Sequence, residues 1–381
     1  MDFRVPEEYQ EIQTAIRDWV NKRVIPVEQE IEEHDEVPAR LLDEAKRMGL
    51  FGIRIPEEYG GLGLGVLGQS LIYEELGRTS HGLCTVIGAH TGIGTTGLVE
   101  MGSAEQKGRY LPGMATGERL ACFALTEPQA GSDASQLLTT AERRGDRYIL
   151  NGRKCFISNA PTADLFTVFA VTDKAKGPKG ISAFLVERSF KGLEVGKPER
   201  KMGLRGSHTA ELFFTDCEVP AENLLGVEGQ GYSAALKILT KGRATLAARC
   251  IGGMERCLEE SVAWAKQRVT MGKPIAEHQM IQAYLAEMAT DIFASRAMTR
   301  QVAWMADQGM NVQKEAAMAK LFVTEAFARV ADKAVQIHGG MGYMKEVAVE
   351  RLYRDARITR IYEGTNEIQK LIIAGKVLAE D

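Results

Sequence analysis

The chain has 381 residues, more than one ordinary hydrophobic core accommodates, so two or three packed units are expected. Hydrophobic residues make up 45% and charged residues 26%, an ordinary globular balance. A net charge of −4 supplies no basic field for a phosphate backbone, which argues against nucleic-acid binding, and no run approaches the roughly 18 apolar residues of a membrane span.

The N-terminal MDFRVPEEYQEIQ is acidic early and has no apolar stretch of signal-peptide type, and the C-terminal KVLAED carries no lipidation or peroxisomal signal. From Glu7 to about Gly117 the spacing is helical, beginning with Ile12, Ile16, Trp19, Val20 and Val24. A second helix fits 38–48 and stops at Gly49, and helices return at 66–77 and 81–101 after the glycine-rich loop 55–65. Near Leu120 the pattern changes to strand-like runs at 120–127, 147–158, 164–172, 181–187 and 211–221. Gly145-Asp146 reads as a hairpin turn, and the block reads as a small antiparallel β-domain. After Gly229 the helical period resumes, with helices near 230–268, 275–308, 312–338, 346–355 and 366–379. Asn311 is placed to cap the third and Thr365 the last, with Glu367 in its first turn. Long helices on short loops predict an antiparallel four-helix bundle. The division expected is 1–119 helical, 120–228 β and 229–381 helical, a multidomain α+β chain rather than a doubly wound fold.

The six cysteines are scattered without a C-x-x-C pair and read as reduced buried thiols; His278 and His338 stand alone in their segments, so no metal site is expected. Four blocks carry chemistry. FALTEPQAGSD (123–133) places Pro128, Gly131 and Ser132 in a turn after a strand, either a plain surface turn or a loop offering N–H groups and hydroxyls to a ligand. It is no G-x-G-x-x-G, which disfavours a nicotinamide Rossmann site. KCFISNA (154–160) ends a β-run with an aromatic face at Phe156 and a hydroxyl at Ser158, or simply a core Phe. In QIHGGMGY (336–343) a helix C-cap turn accounts for one or two of the glycines, and the third leaves open either a plain helix exit or the close approach of a ligand. RIYEGTNEIQ (360–369) puts Glu363 in a short link beside Ile361 and Tyr362. An apolar setting raises a carboxyl pKa, as a general base for a weak carbon acid needs; the plainer alternative is a first-turn glutamate favouring the helix dipole.

In order, TEPQAGSD, FIS, RVTMGKPIAEHQ (268–279), QIHGGMGY and YEGTNEIQ resemble the acyl-CoA dehydrogenase family, over essentially the whole chain from GLFGIRIPEEYGG (49–61) onward. The resemblance implies a helical N-terminal domain, a middle β-barrel-like domain and a C-terminal four-helix bundle. It also implies a homotetramer built as a dimer of dimers with one FAD per subunit. Phe123, Leu125, Thr126, Gly131 and Ser132 would line the flavin, Ser132 also approaching the CoA thioester arm, and Phe156, Ile157 and Ser158 would pack on its other side. Arg268, Thr270, His278 and Gln279 would contact FAD across a subunit interface. Gln336, Ile337, His338, Gly339 and Gly340 would hold the adenine end of a neighbour's FAD, and Thr365, Asn366 and Glu367 would meet its phosphates through a helix N-terminus. Glu363 would be the catalytic base, with Gly364 and Arg243 near the acyl-CoA substrate.

The implied reaction removes an α-proton by Glu363 and a β-hydride to flavin, giving a trans-2-enoyl-CoA from a short- to medium-chain acyl-CoA. Electrons would pass to an electron-transfer flavoprotein. The expected location is the cytoplasm, or the mitochondrial matrix for a processed eukaryotic chain. Some members carry the carboxylate near the position of Gly242, but no carboxylate stands there, and Tyr362 fills a place often glycine in isovaleryl-type members. Thr240 stands where many members have Asp. The alternatives are an enoyl-CoA reductase using the site in reverse, a flavin monooxygenase or nitroalkane-type oxidase on the same fold, and a helical scaffold without flavin.

Overall fold

The computed structural model describes residues 5–379. The N-terminal region opens with α1 (Glu7–Trp19), α2 (Glu28–His34), α3 (Ala39–Arg47), α4 (Val66–Leu76), α5 (His81–Gly88), α6 (Thr95–Met101) and α7 (Ala104–Ala115). Gly49 takes φ 73° just past α3, the left-handed exit its sequence position predicts. The predicted helix 81–101 is continuous but carries a π-helical turn over Ala89–Gly94, where residues small enough to widen the coil cluster. Helix α4 is buried on nearly every side, because α1, α8 and α9 all pack against it. Its first turn is capped from another domain: Asp307 accepts from Val66 N at 2.6 Å and Leu67 N at 2.9 Å.

The middle region holds β1 (Ala121–Ala124), β2 (Thr140–Arg144), β3 (Arg147–Ser158), β4 (Leu165–Val171), β5 (Ile181–Glu187), β6 (Leu193–Val195), β7 (Thr209–Pro220) and β8 (Leu224–Leu225). Their order is β6-β7-β3-β2-β4-β5-β8, with β1 on β4. Gly145 (φ 63°) and Asp146 form the two-residue turn between β2 and β3. The sheet departs from the purely antiparallel expectation: β1 runs parallel to β4, and β2 meets β4 in parallel at Thr140–Val171. The physical reason is that β1 arrives from the helical region rather than from a hairpin partner. It also stops earlier than the predicted 120–127 run, because Glu127 and Ala130 close a tight turn on each other.

The C-terminal region comprises α8 (Gly231–Gln267), β9 (Val269–Thr270), β10 (Lys273–Pro274), α9 (Gln279–Asp307), α10 (Gln313–His338), α11 (Ala348–Thr359) and α12 (Asn366–Val377). The three long helices pack on one another, α11 packs against α8 and α10, and α12 against α10. The β9–β10 hairpin delays the start of α9 from the predicted 275 to Gln279. Thr365 caps α12 by accepting from Ile368 N at 3.3 Å, whereas the α10 cap position is Val312, and Asn311 reaches only Gln313 N at 3.2 Å. All six cysteines are buried single thiols. Among the described residues no helix is long and apolar enough to cross a membrane.

The layers meet through a shared core in which Leu98, Tyr110 and Met114 pack with Leu165, Phe169 and Leu185 and with Ala235 and Ile238 of α8. That junction positions the site, since each of the three regions turns one face into the same interior space.

Candidate active site

Glu363 lies in the link between α11 and α12, in a left-handed conformation (φ 54°) followed by left-handed Gly364 (φ 85°). A non-glycine residue holds this conformation only where its surroundings enforce it. Here Asn366 N donates to Arg360 O at 3.0 Å, and Gln369 Nε2 donates to Gly364 O at 2.8 Å and Glu363 O at 3.3 Å. From beneath, the fully buried Lys320 of α10 donates to Gly364 O at 2.9 Å and Asn366 Oδ1 at 2.8 Å. Thr324 adds a bond to the same Asn366 oxygen at 3.1 Å.

The residue is half-buried as a whole, but Oε2 is sealed and has no hydrogen-bond partner. It rests against Gly242 of α8, where an added Cβ would stand 2.8 Å from it. Burial pushes the Glu363 carboxyl upward, and the charges of Arg249, Lys320 and Arg243 pull it partly back. Burial holds the Lys320 ammonium down to about 8, against the pull of Glu363 and Cys250. Arg249 is fixed by Thr85 Oγ1 at 3.0 Å and by the Tyr362 hydroxyl, with its guanidinium 5.4 Å from the Tyr362 ring centre. The buried Arg243 leaves Nε and Nη1 without partners.

Facing this carboxylate is a wall from the sheet. After β1 the turn at Glu127–Ala130 is pinned by a buried ion pair, Lys154 Nζ to Glu127 Oε1 at 2.7 Å. The same carboxylate accepts from Leu138 N and Thr139 N, and Lys154 also donates to Leu125 O at 3.1 Å. Cys155 N donates to Thr126 O at 2.9 Å, tying that turn to β3. A register shift between Lys154 and Ile157 puts Phe156 at φ 58° and leaves it 70% exposed. The bulge is the local device that turns an apolar ring off the sheet.

Between these walls lies a cavity of about 350 Å³. It brings together eleven of the residues singled out from sequence: Phe123, Leu125, Thr126, Gly131, Ser132, Phe156, Ile157, Ser158, Arg243, Glu363 and Gly364. The others lie elsewhere. Arg268 and Thr270 sit at the exposed β9–β10 hairpin, Thr270 Oγ1 hydrogen-bonded to His278 Nε2 at 3.1 Å, and Gln279 is exposed beside them. Gln336, Gly339 and Gly340 are exposed at the end of α10, whereas Ile337 and His338 are buried, His338 stacked on Trp264 at 5.3 Å. Thr365 and Asn366 spend their side chains inside the fold, and Glu367 is exposed. Thr240 folds back onto Leu236 O at 2.8 Å.

Sequence reasoning missed the contribution of the N-terminal helices, Tyr73, Thr85, Gly88 and Gly92, and of α8 beyond Arg243, with Thr245, Leu246 and Arg249. The run of small residues in GAHTGIG was the one available signal, since it left space where a helix would ordinarily bury bulk.

The geometry is that of a three-domain enzyme with a carboxylate lining a cavity between its domains. Models of the acyl-CoA dehydrogenase N-terminal, middle and C-terminal domains match residues 6–118, 122–217 and 229–378. An acyl-CoA dehydrogenase of Bacillus subtilis is 46% identical over 376 residues, covering 99% of both chains. The acryloyl-CoA reductase (NADH) of Anaerotignum propionicum is 43% identical over 380 residues, covering 99% of this chain and 96% of its own. Among solved structures, butyryl-CoA dehydrogenase of Megasphaera elsdenii superposes with TM-score 0.96 at 39% identity, over 99% of this chain and 100% of its own. An acyl-CoA dehydrogenase complexed with FAD from Bacillus anthracis gives 0.92 at 38%, over 98% of this chain and 67% of its own. A chain from a structure described as the electron transferring flavoprotein of Acidaminococcus fermentans gives 0.97 at 41%, over 100% of both. The chain belongs to the acyl-CoA dehydrogenase family, and it is an oxidoreductase acting on acyl-CoA.

Proposed function

We propose that this enzyme dehydrogenates a short- to medium-chain acyl-CoA between Cα and Cβ, with Glu363 as the base. The observation that carries the reading is Glu363, its buried Oε2 without a hydrogen-bond partner, lining one cavity with the hydroxyl- and aromatic-bearing residues Thr126, Phe156 and Ser158.

The cofactor is FAD, and the residues fit it. The wall has an exposed aromatic ring and open backbone at Gly131, where an added Cβ would meet nothing within 4 Å. Phe123, Leu125, Thr126, Gly131, Ser132, Phe156, Ile157 and Ser158 would hold its ring system. When bound, FAD supplies the acceptor for the hydride leaving Cβ. The exposed hairpin with Arg268, Thr270, His278 and Gln279, the Gln336–Gly340 segment and the start of α12 would serve the nucleotide end in a homotetramer.

Glu363 takes the α-proton. Its desolvated carboxylate is a stronger base than one in water, and the charges of Arg249, Lys320 and Arg243 offset part of that rise. The backbone N–H of Glu363 polarises the thioester carbonyl as the proton leaves; one such donor is worth about 3–4 kcal/mol in a dry site. Ser132, Arg243 and Gly364 flank the substrate. Electrons then pass to an electron-transfer flavoprotein.

A second reading, reduction of an enoyl-CoA through the same groups, is favoured by the likeness to the acryloyl-CoA reductase. Glu363→Gln should retain bound flavin and lose anaerobic bleaching by butyryl-CoA; substantial residual bleaching would place the base elsewhere. The direction is read from whether butyryl-CoA reduces the flavin or crotonyl-CoA reoxidises it more completely.

A further inference from the structure

The cavity follows one face of α8, from Tyr232 to Arg249, a length of about 25 Å at the helical rise. Its two ends differ. Gly131 and Ser132 at one end are exposed, which makes that end the mouth. Glu363 stands over Gly242, partway along. About two helical turns beyond Gly242 the wall closes on Arg249, Thr85 and Tyr73.

Tyr73 is the closing element. Among the described residues it is the one member of the N-terminal core that also lines the cavity. Tyr73 is 3% exposed and belongs to the same buried cluster as Leu76, Leu83 and Val86, so its ring joins the cavity wall to packed core. The ring is tied at its phenol end. Its hydroxyl is hydrogen-bonded to Thr91, and Gly88 lies beside the same edge, where an added Cβ would stand 3.3 Å from Cε1. Arg249, fixed between Thr85 and Tyr362, closes the same corner with a group that cannot move aside without losing both partners.

We propose that Tyr73 is the chain-length stop of the acyl site, selecting butyryl-sized groups over octanoyl-sized ones. This rests on the acyl-CoA dehydrogenase reading of the cavity. A substrate whose Cα meets Glu363 extends its tail toward Tyr73, and a longer tail must displace a wedged aromatic ring backed by close-packed core, which such interiors resist.

The test uses the FAD-loaded holoenzyme with butyryl-, hexanoyl-, octanoyl- and decanoyl-CoA. The wild type should lose at least about tenfold in kcat/KM between butyryl- and octanoyl-CoA. Tyr73→Phe, which keeps the ring, should keep that ratio. Tyr73→Leu and Tyr73→Ala should shrink or invert it by about tenfold. A wild type that handles octanoyl-CoA as well as butyryl-CoA would overturn the proposal whether or not any variant folds. So would an unchanged ratio in both truncations. Failure of every chain length to bleach the flavin would instead sink the dehydrogenase reading itself, and the two failures are separable on the same plate of substrates.

Discussion

Replacing Gly242 by alanine separates catalysis from folding at a single methyl group. The new Cβ would stand 2.8 Å from Glu363 Oε2, whereas ordinary contact begins at 3.4 Å, and it would meet Ile93 at 3.5 Å, in ordinary contact. The carboxylate must therefore retreat by about 0.6 Å or more, and a displacement of about 1 Å at a reacting group costs up to about 100-fold. A fall in the flavin reduction rate of about 10- to 100-fold is expected. Stability should move the other way or not at all, because glycine in a helix interior is about 1 kcal/mol worse than alanine. Anaerobic stopped-flow reduction by butyryl-CoA measures the first quantity, and thermal melting of the holoenzyme with its flavin content measures the second. A Gly242→Ala enzyme that reduces its flavin within twofold of the wild-type rate would show that the Glu363 position seen here is not the one used in proton abstraction.

The acid limb of kcat/KM should lie above the ordinary glutamate range, because burial raises the Glu363 carboxyl and only its ionised form accepts a proton; activity falls as pH drops through that raised value. Lys320→Met removes one of the three opposing cations and should move the limb to still higher pH, while Lys320→Arg should restore part of the shift; an unmoved limb in the methionine variant would deny the charge coupling. Lys154→Met strands the Glu127 carboxylate in the interior and should lower unfolding stability by about 3–5 kcal/mol in urea titrations; a loss under about 1 kcal/mol would mean the turn does not depend on the pair.

Local chemistry was readable along the chain. Strands Arg147–Ser158 and Ile181–Glu187 fall where the alternating and apolar runs predicted them, the Gly145-Asp146 turn joins the expected partners, and Thr365 caps the last helix. These features depend on neighbours within a few residues, so spacing and propensity suffice. The motif blocks at 123–132 and 156–158, together with Glu363, were visible for the same reason, as unusual short-range patterns.

The tertiary structure alone decided which of those patterns share a space. Asp307 caps a helix 241 positions earlier, Lys320 supports a loop 44 residues on, and Gly242 leaves room for Glu363 from another helix. Nothing in a helical period marks Lys320 or Tyr73 as anything but an interior residue. Their settings arise because packing brings surfaces from three regions against one cavity, and burial then raises the Glu363 carboxyl against three nearby cations and seats Tyr73 in the cavity wall.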